Sequence, residues 1–213
     1  FILSSESSSE KPLLAEKLKK GSSDNKLTCN VVLREPNEGV SDAKIGGLIG
    51  TMETNTNADI SFENTVNSAL TVKGESHTGL FCNTMESGAS LTATFTNTNN
   101  GKITVEATAD GADAGGFVGH MEDGTLTIAG KSVAQVNSAY GNAGGLVGSA
   151  NGGAIQIKED ENTKTSFIFA DSFALKAGSD KAAGGLIGEY TVVGSETQTV
   201  KSSAEYDLSR SQF

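Results

Sequence analysis

The sequence has few of the residues on which small secreted domains and large enzymes depend. It has no tryptophan, 6% aromatic residues, two cysteines, two prolines and two histidines in 213 residues. Cys29 and Cys82 are too few for a disulfide scaffold and lack the CxxC spacing of metal ligands. We expect them to be buried free thiols, although a single bridge stays possible if stacking brings them together. With so few aromatics, the core must consist of Leu, Ile, Val, Ala and a few Phe in thin layers.

Positive charge is also scarce. Lysine and arginine number 16 against 26 acidic residues, giving a formal net charge of -10. Nucleic acids and anionic membrane surfaces are bound through clustered cations, so both are excluded as expected partners. The only basic cluster, Lys17 with Lys19 and Lys20, is typical of a solvated helix face. No apolar run approaches the roughly 20 residues of a membrane span, so we expect no membrane insertion.

One short glycine-rich unit recurs along the chain. Gly-Gly-apolar-apolar-Gly occupies residues 46–50, 115–119, 144–148 and 184–188, and a degraded copy occupies residues 78–82. Such a repeat predicts stacked units that bury their apolar faces against their neighbours. Glycine permits positive φ and close backbone approach at a corner. The predicted structural glycines are Gly46, Gly47, Gly50, Gly79, Gly115, Gly116, Gly119, Gly144, Gly145, Gly148, Gly184, Gly185 and Gly188.

The residues after each glycine pair give a further expectation. One member of each apolar pair should point inward and the other outward. The inward members should form one column. The expected column is Leu48, Leu80, Phe117, Leu146 and Leu186.

Two short alternating segments follow each glycine element, which is the pattern of half-buried strands. The first set is residues 60–62, 91–95, 126–128 and 155–157, and the second set is residues 69–72, 103–107, 133–136 and 167–169. With residues 27–33 as the first strand, the sequence predicts an all-β parallel β-helix over residues 27–194, with about three short strands per coil. General crossover preference makes it right-handed.

The two ends of the chain differ from the repeats. Residues 1–26 are predicted to be a polar linker followed by a short helix at 12–20, in which Leu14 and Leu18 lie one turn apart. This helix would cap the open end of the solenoid. Residues 195–213 are a C-terminal cap or linker. Because Phe1-Ile2-Leu3 is not a natural start, we expect further domains of a longer protein.

The sequence predicts no catalytic, cofactor-binding or metal-binding residue. The aspartates beside glycines, including Asp110 and Asp113, are typical of turns. Ala109 to Gly116 resembles a calcium-binding turn, but it occurs once and its counterparts lack the carboxylates. His77 precedes a corner and His120 follows one, so we expect them to lie apart, which gives zinc no support. No nucleophile–base pair or phosphate-binding loop is visible.

The repeated Gly-Gly-Leu-Ile-Gly, Gly-Gly-Phe-Val-Gly and Gly-Gly-Leu-Val-Gly elements resemble the GLUG motif of large bacterial surface and secreted proteins, over residues 45 to about 193. The resemblance implies an extracellular β-helical region of an adhesin-like protein. Three functions follow as hypotheses. The segment binds a host glycan or extracellular protein through its strand faces and the loops at 96–101 and 157–166, or it is a stalk without a specific ligand, or, least favoured, it is a carbohydrate-active enzyme.

Overall fold

The computed structural model is an all-β solenoid of parallel strands, which confirms the expected fold class. It describes residues 14–19, 27–33, 42–45, 47–65, 69–97, 101–158, 167–171, 173–191 and 199–202. The strands in chain order are β1 (Ala15–Leu18), β2 (Leu27–Leu33), β3 (Asp42–Ile45), β4 (Ile49–Met52), β5 (Asn57–Asn64), β6 (Ala69–Gly74), β7 (Thr78–Gly79), β8 (Cys82–Met85), β9 (Ser90–Asn97), β10 (Ile103–Ala107), β11 (Ala114–Gly115), β12 (Val118–Glu122), β13 (Thr125–Gly130), β14 (Gln135–Ser138), β15 (Ala143–Gly144), β16 (Val147–Asn151), β17 (Ala154–Ile157), β18 (Ala174–Lys176), β19 (Ala183–Gly184), β20 (Ile187–Thr191) and β21 (Thr199–Ser202).

These strands stack into four parallel sheets. Sheet A has the order β2-β5-β9-β13-β17-β21, and sheet B has the order β1-β4-β8-β12-β16-β20. Sheet C has the order β18-β14-β10-β6-β3, and sheet D, made of two-residue strands, has the order β19-β15-β11-β7. A complete coil thus contributes three longer strands and one short strand at the glycine corner, in agreement with the expectation of about three strands per coil.

The register between coils is regular although the coils differ in length. In sheet B, Ile49 pairs with Cys82, then Val118, Val147 and Ile187, which are separated by 33, 36, 29 and 40 residues. Inward strand positions must keep this register because they share one core, whereas loops on the outside lengthen without disturbing it. The irregular spacing of the glycine elements is therefore a property of the loops.

The core alternates as the sequence pattern requires. In β5, Ala58, Ile60 and Phe62 point inward while the intervening residues face out. All seven phenylalanines in the described part of the chain form one row of ring contacts through the interior, with neighbouring centroids 4.8 to 6.5 Å apart. The row consists of Phe62, Phe81, Phe95, Phe117, Phe167, Phe169 and Phe173. The expected core of thin aliphatic layers with a few phenylalanines is therefore observed.

The glycine corner differs from the prediction in two respects. Gly79 pairs with Gly115 and Cys82 with Val118, so the degraded unit begins at Gly79, one residue later than expected. The inward column therefore contains Phe81 instead of Leu80. The expectation that one member of each pair points outward is wrong for four of the five pairs, in which both residues are buried, as in Phe117 and Val118, because they lie on the inside of the turn from sheet D into sheet B. Leu186 and Ile187 of the last pair are half-buried.

The predicted N-terminal helix is wrong over residues 14–19, since residues 15–18 form strand β1, which pairs with β4. No helix occurs among the described residues, and so this part of the chain has no helix that could span a membrane. Strands β1 and β21 both lie outside the predicted limits of 27–194 and extend sheets B and A.

Two strand predictions match the observed limits, Leu27–Leu33 and 103–107. The prediction at 133–136 is displaced to β14, Gln135–Ser138. Residues 167–169 were predicted to be the strand that follows 133–136 in the second set, and this prediction is wrong. Ile168 makes a single bridge to Lys131, and sheet C continues through β18 instead. Phe167 and Phe169 are used to fill the core.

Both cysteines are free, so no bridge joins them. Cys29 lies in sheet A and is half-buried, whereas Cys82 lies in sheet B and is fully buried. Burial raises the pKa of the Cys82 thiol from 9.0 to about 12, against the lowering effect of hydrogen bonds with the backbone of Met52 and Thr84.

Candidate functional site

The polar residues that flank the glycine corner form two parallel columns on the outside of the solenoid. The leading column contains the residue two positions before the first glycine of a unit, and the trailing column contains the residue after its last position. The leading column is His77, Asp113 and Asn142. The trailing column is His120, Ser149 and Glu189.

Close backbone packing brings the columns together diagonally, one coil apart. A Cβ atom added to Gly119 would lie only 2.7 Å from the carbonyl carbon of His77, in the preceding coil. The same packing places Gly148 against Ala114 and Gly188 against Ala143. Only glycine permits this approach, because the atoms that a side chain would meet belong to the backbone. The last glycine of each unit therefore positions a trailing residue beside a leading residue.

Three diagonal pairs result. The rings of His77 and His120 stack with centroids 4.9 Å apart at an interplanar angle of 27°. Ser149 Oγ donates to Asp113 Oδ2 at 2.5 Å. The amide of Asn142 donates to Glu189 Oε2 at 2.8 Å. The expectation that the two histidines lie apart is wrong, since positions before and after a corner meet across successive coils.

Hydrogen bonds also join neighbours within each column. The backbone N–H of Asp113 donates to Nδ1 of His77 at 3.1 Å. The backbone and side-chain N–H groups of Asn142 donate to Oδ1 of Asp113 at 2.7 and 2.9 Å. In the trailing column, Nδ1 of His120 lies 2.7 Å from Ser149 Oγ. The result is one continuous polar network.

Asp113 is the most constrained group of this network, with a side chain 9% exposed. Burial alone raises its pKa, but the hydrogen bonds from His77, Ser149 and Asn142 outweigh burial and lower the pKa from 3.8 to about 2. Asp113 was predicted to be a turn aspartate without further role. Asp123 and Asp180 do fit that description, with positive φ angles of 40° and 60°.

His120 is held on both ring nitrogens. Its Nε2 lies 3.0 Å from Oε1 of Glu122, which also accepts from the amide of Asn151 at 2.9 Å. The hydrogen bond with His120 is the main cause of the lowered pKa of Glu122, followed by that with Asn151. An ionised carboxylate only accepts hydrogen bonds, so Nε2 carries a proton.

Ser149 has one hydroxyl proton and two polar neighbours. Asp113 Oδ2 and His120 Nδ1 both lie within hydrogen-bonding distance of its Oγ. Nδ1 of His77 lies 3.1 Å from the backbone nitrogen of Asp113 and 3.3 Å from Asp113 Oδ2. One hydroxyl, one carboxylate oxygen and two ring nitrogens therefore lie close together at this point of the surface.

One nitrogen of His77, one of His120 and a carboxylate oxygen of Asp113 all lie within 4.8 Å of one another. This arrangement is a candidate cation site, and it is half-open to solvent because the His77 side chain is 34% exposed. No metal site was predicted from the sequence, because the three residues are far apart along the chain. The one signal that an alignment of the units offers is that polar residues occupy both flanking positions in four of the five glycine units.

The same residues also place a hydroxyl beside a histidine and a carboxylate, in the order Ser149, His120, Glu122. A nucleophilic serine must give its proton to the histidine. Here the hydroxyl donates to Asp113, and Ser149 is 7% exposed. The arrangement therefore favours cation binding over acyl transfer.

Comparison with known proteins finds no matching family model, no matching curated protein and no matching solved structure.

Proposed function

We propose that this chain is a non-catalytic β-solenoid segment of a bacterial surface protein that binds a host glycan or extracellular protein through the outer face of sheet A. Inward strand positions are filled by apolar side chains, so the outer faces are left for recognition. The extracellular location and the adhesin-like role rest on the resemblance to GLUG repeats.

The observation that carries the proposal is that polar side chains form rows on the outer face of sheet A. Asp59, Thr92 and Gln156 lie in one outward row across sheet A, in which Thr127 is the fourth member but is only 6% exposed. A second row runs beside it through Ser61 and Thr94. Hydroxyl, amide and carboxylate groups at regular spacing offer donors and acceptors to a ligand without requiring the side chains to reorganise.

The size of this face fits a macromolecular ligand. The six strands of sheet A have 4 to 8 residues each, and at about 3.3 Å per residue and about 4.8 Å per strand they give a face of roughly 600 Å². This area approaches the roughly 800 Å² that each partner contributes to a standard protein interface. Residues 98–100 and 159–166 of the two loops lie outside the described residues, so the proposal rests on the strands.

The test is binding of the purified segment to a panel of host glycans and extracellular-matrix proteins. Thr92→Arg with Thr94→Arg adds bulk and charge to the outer face of sheet A, and Thr71→Arg with Thr104→Arg is the matched double change on sheet C. We expect saturable binding that the sheet A variant loses and the sheet C variant keeps. Equal binding by both variants would refute the assignment of the face, and no binding to any member would favour the stalk. New reducing ends in a glycan digest would favour the enzyme.

A further inference from the structure

We propose that His77, Asp113 and His120 bind a divalent transition-metal ion, of which zinc is the representative. This site is distinct from the face of sheet A and does not depend on the proposed function. It lies on the corner between sheets D and B, where the leading and trailing columns meet.

The donor set indicates the class of metal. Two imidazole nitrogens and one carboxylate oxygen suit zinc, copper, nickel or iron, whereas calcium and magnesium prefer oxygen ligands alone. Three protein ligands leave further coordination positions for water or for a group from a partner.

The distances are near those of a bound ion. Metal–ligand bonds of about 2.0 to 2.1 Å place tetrahedral ligand atoms about 3.3 Å apart. The edge between His77 Nδ1 and Asp113 Oδ2 already measures 3.3 Å. The longest edge, at most 4.8 Å, must shorten by up to about 1.5 Å, so binding requires a shift of the His120 side chain and displacement of the Ser149 hydroxyl from its Nδ1.

The surrounding hydrogen bonds are those of a supported metal ligand. A metal-binding histidine commonly donates its other ring N–H to a carboxylate, which fixes the tautomer. His120 does so through Nε2 and Glu122 Oε1, and this leaves the lone pair of Nδ1 facing the cluster. The two N–H groups of Asn142 occupy Oδ1 of Asp113, so Oδ2 is the oxygen that faces the histidines.

The charge balance also favours a cation. Among the described residues, the ion pairs of Asp113 and Glu122 are formed with histidines and with no lysine or arginine. A divalent ion would supply the positive charge that no lysine or arginine supplies to Asp113 and Glu122.

The small number of histidines in the chain makes a specific test possible. The only histidines are His77 and His120, so any imidazole-dependent binding in an untagged protein must involve this site. Of the other soft ligands, Cys82 is fully buried and Cys29 lies in sheet A, away from the cluster. Zinc is titrated by calorimetry, and long-range proton–nitrogen NMR of the histidine rings reports which ring nitrogens change.

We expect one zinc ion per chain and simultaneous shifts of ring nitrogens in both histidines. His77→Gln and His120→Gln should each lower the affinity at least about tenfold, and Glu122→Gln should lower it about tenfold through the tautomer of His120. Asp110→Asn, three residues before Asp113 and outside the cluster, is the matched control and should bind as the wild type does.

Either of two results would overturn the proposal. One is zinc binding that persists in the double variant His77→Gln with His120→Gln, which would place the ion elsewhere. The other is the absence of zinc-dependent changes in the chemical shifts of the histidine ring nitrogens in a folded wild-type protein. This result would mean that the cluster is held together by hydrogen bonds alone and binds no metal. The far-ultraviolet circular dichroism of each variant confirms that it is folded before it is scored.

Discussion

Replacement of Gly115 by alanine tests the close packing of the corner. The added Cβ would lie 2.6 Å from the backbone nitrogen of Gly148 in the next coil and still closer to the carbonyl oxygen of Val118 in its own corner. Ordinary contact begins near 3.4 Å, so two backbones must separate by about 0.8 Å. The φ angle of Gly115 is not positive, so the cost is one of space.

The magnitude follows from the pairings that this separation disturbs. The corner hydrogen bonds from Gly116 N to Gly144 O, at 3.1 Å, and from Phe117 N to Leu146 O, at 2.9 Å, are weakened, and Phe117 is displaced from the aromatic row. At about 1 kcal/mol for each hydrogen bond and 1 to 3 kcal/mol for core strain, we expect a loss of about 3 to 5 kcal/mol in the free energy of unfolding. This is a large fraction of a typical total.

The assay is urea denaturation followed by circular dichroism, with Gly111→Ala as the matched control. Gly111 has nothing within 4 Å of an added Cβ, and only its φ of +69° opposes alanine. We expect the control to lose about 1 to 2 kcal/mol. Gly184→Ala, where the added Cβ meets only its own corner, should fall between them. If Gly115→Ala were no less stable than Gly111→Ala, close packing between coils would not be the reason for the repeated glycine.

Three further predictions test the interior and the polar columns. Because the pKa of Asp113 is lowered from 3.8 to about 2 in the folded protein, its contribution of about 1 to 2 kcal/mol should be complete above about pH 5 and mostly lost as the pH falls to about 2. Urea titrations should show this loss of stability, and Asp113→Asn should flatten it. Iodoacetamide at pH 8 should alkylate Cys29 and spare Cys82, whose pKa is about 12, and mass spectrometry showing equal modification would contradict its burial. Phe117→Ala should lose about 3 to 5 kcal/mol in chemical denaturation and Phe117→Leu much less, since leucine fills this column at Leu48 and Leu146; equal losses would contradict the packing account.

The sequence predicted the strands well where alternation was unambiguous. Residues 103–107 alternate cleanly, residues 27–31 alternate before the apolar Val32 and Leu33, and the observed strands have the predicted limits. Leu14 and Leu18 show why the helix prediction failed. A separation of four residues places two side chains on one face of a helix and also on one face of a strand. The chain forms a strand here because its backbone bonds to the neighbouring coil, beginning with the N–H of Leu14, which donates to the carbonyl oxygen of Leu48.

The candidate site was not predictable from local patterns. Its residues come from different coils, and the histidines meet only because the corner displaces the trailing residue diagonally by one coil. When the degraded unit is taken to begin at Thr78, His77 is aligned with Ala114. In the structure Ala114 pairs with Thr78, so His77 is equivalent to Asp113. Without this register, the two columns cannot be recognised in the sequence.

The diagonal packing of the corner separates the chemistry of this surface from the folding of the chain. The pairs His77 with His120, Asp113 with Ser149, and Asn142 with Glu189 occupy equivalent backbone positions one coil apart. Because glycine packing sets the backbone and the apolar core lies on the other side, the diagonal geometry of each pair does not depend on its own side chains. A change of side chains at one pair therefore alters the hydrogen bonds to the neighbouring pairs but leaves the backbone positions from which a new surface site can be built.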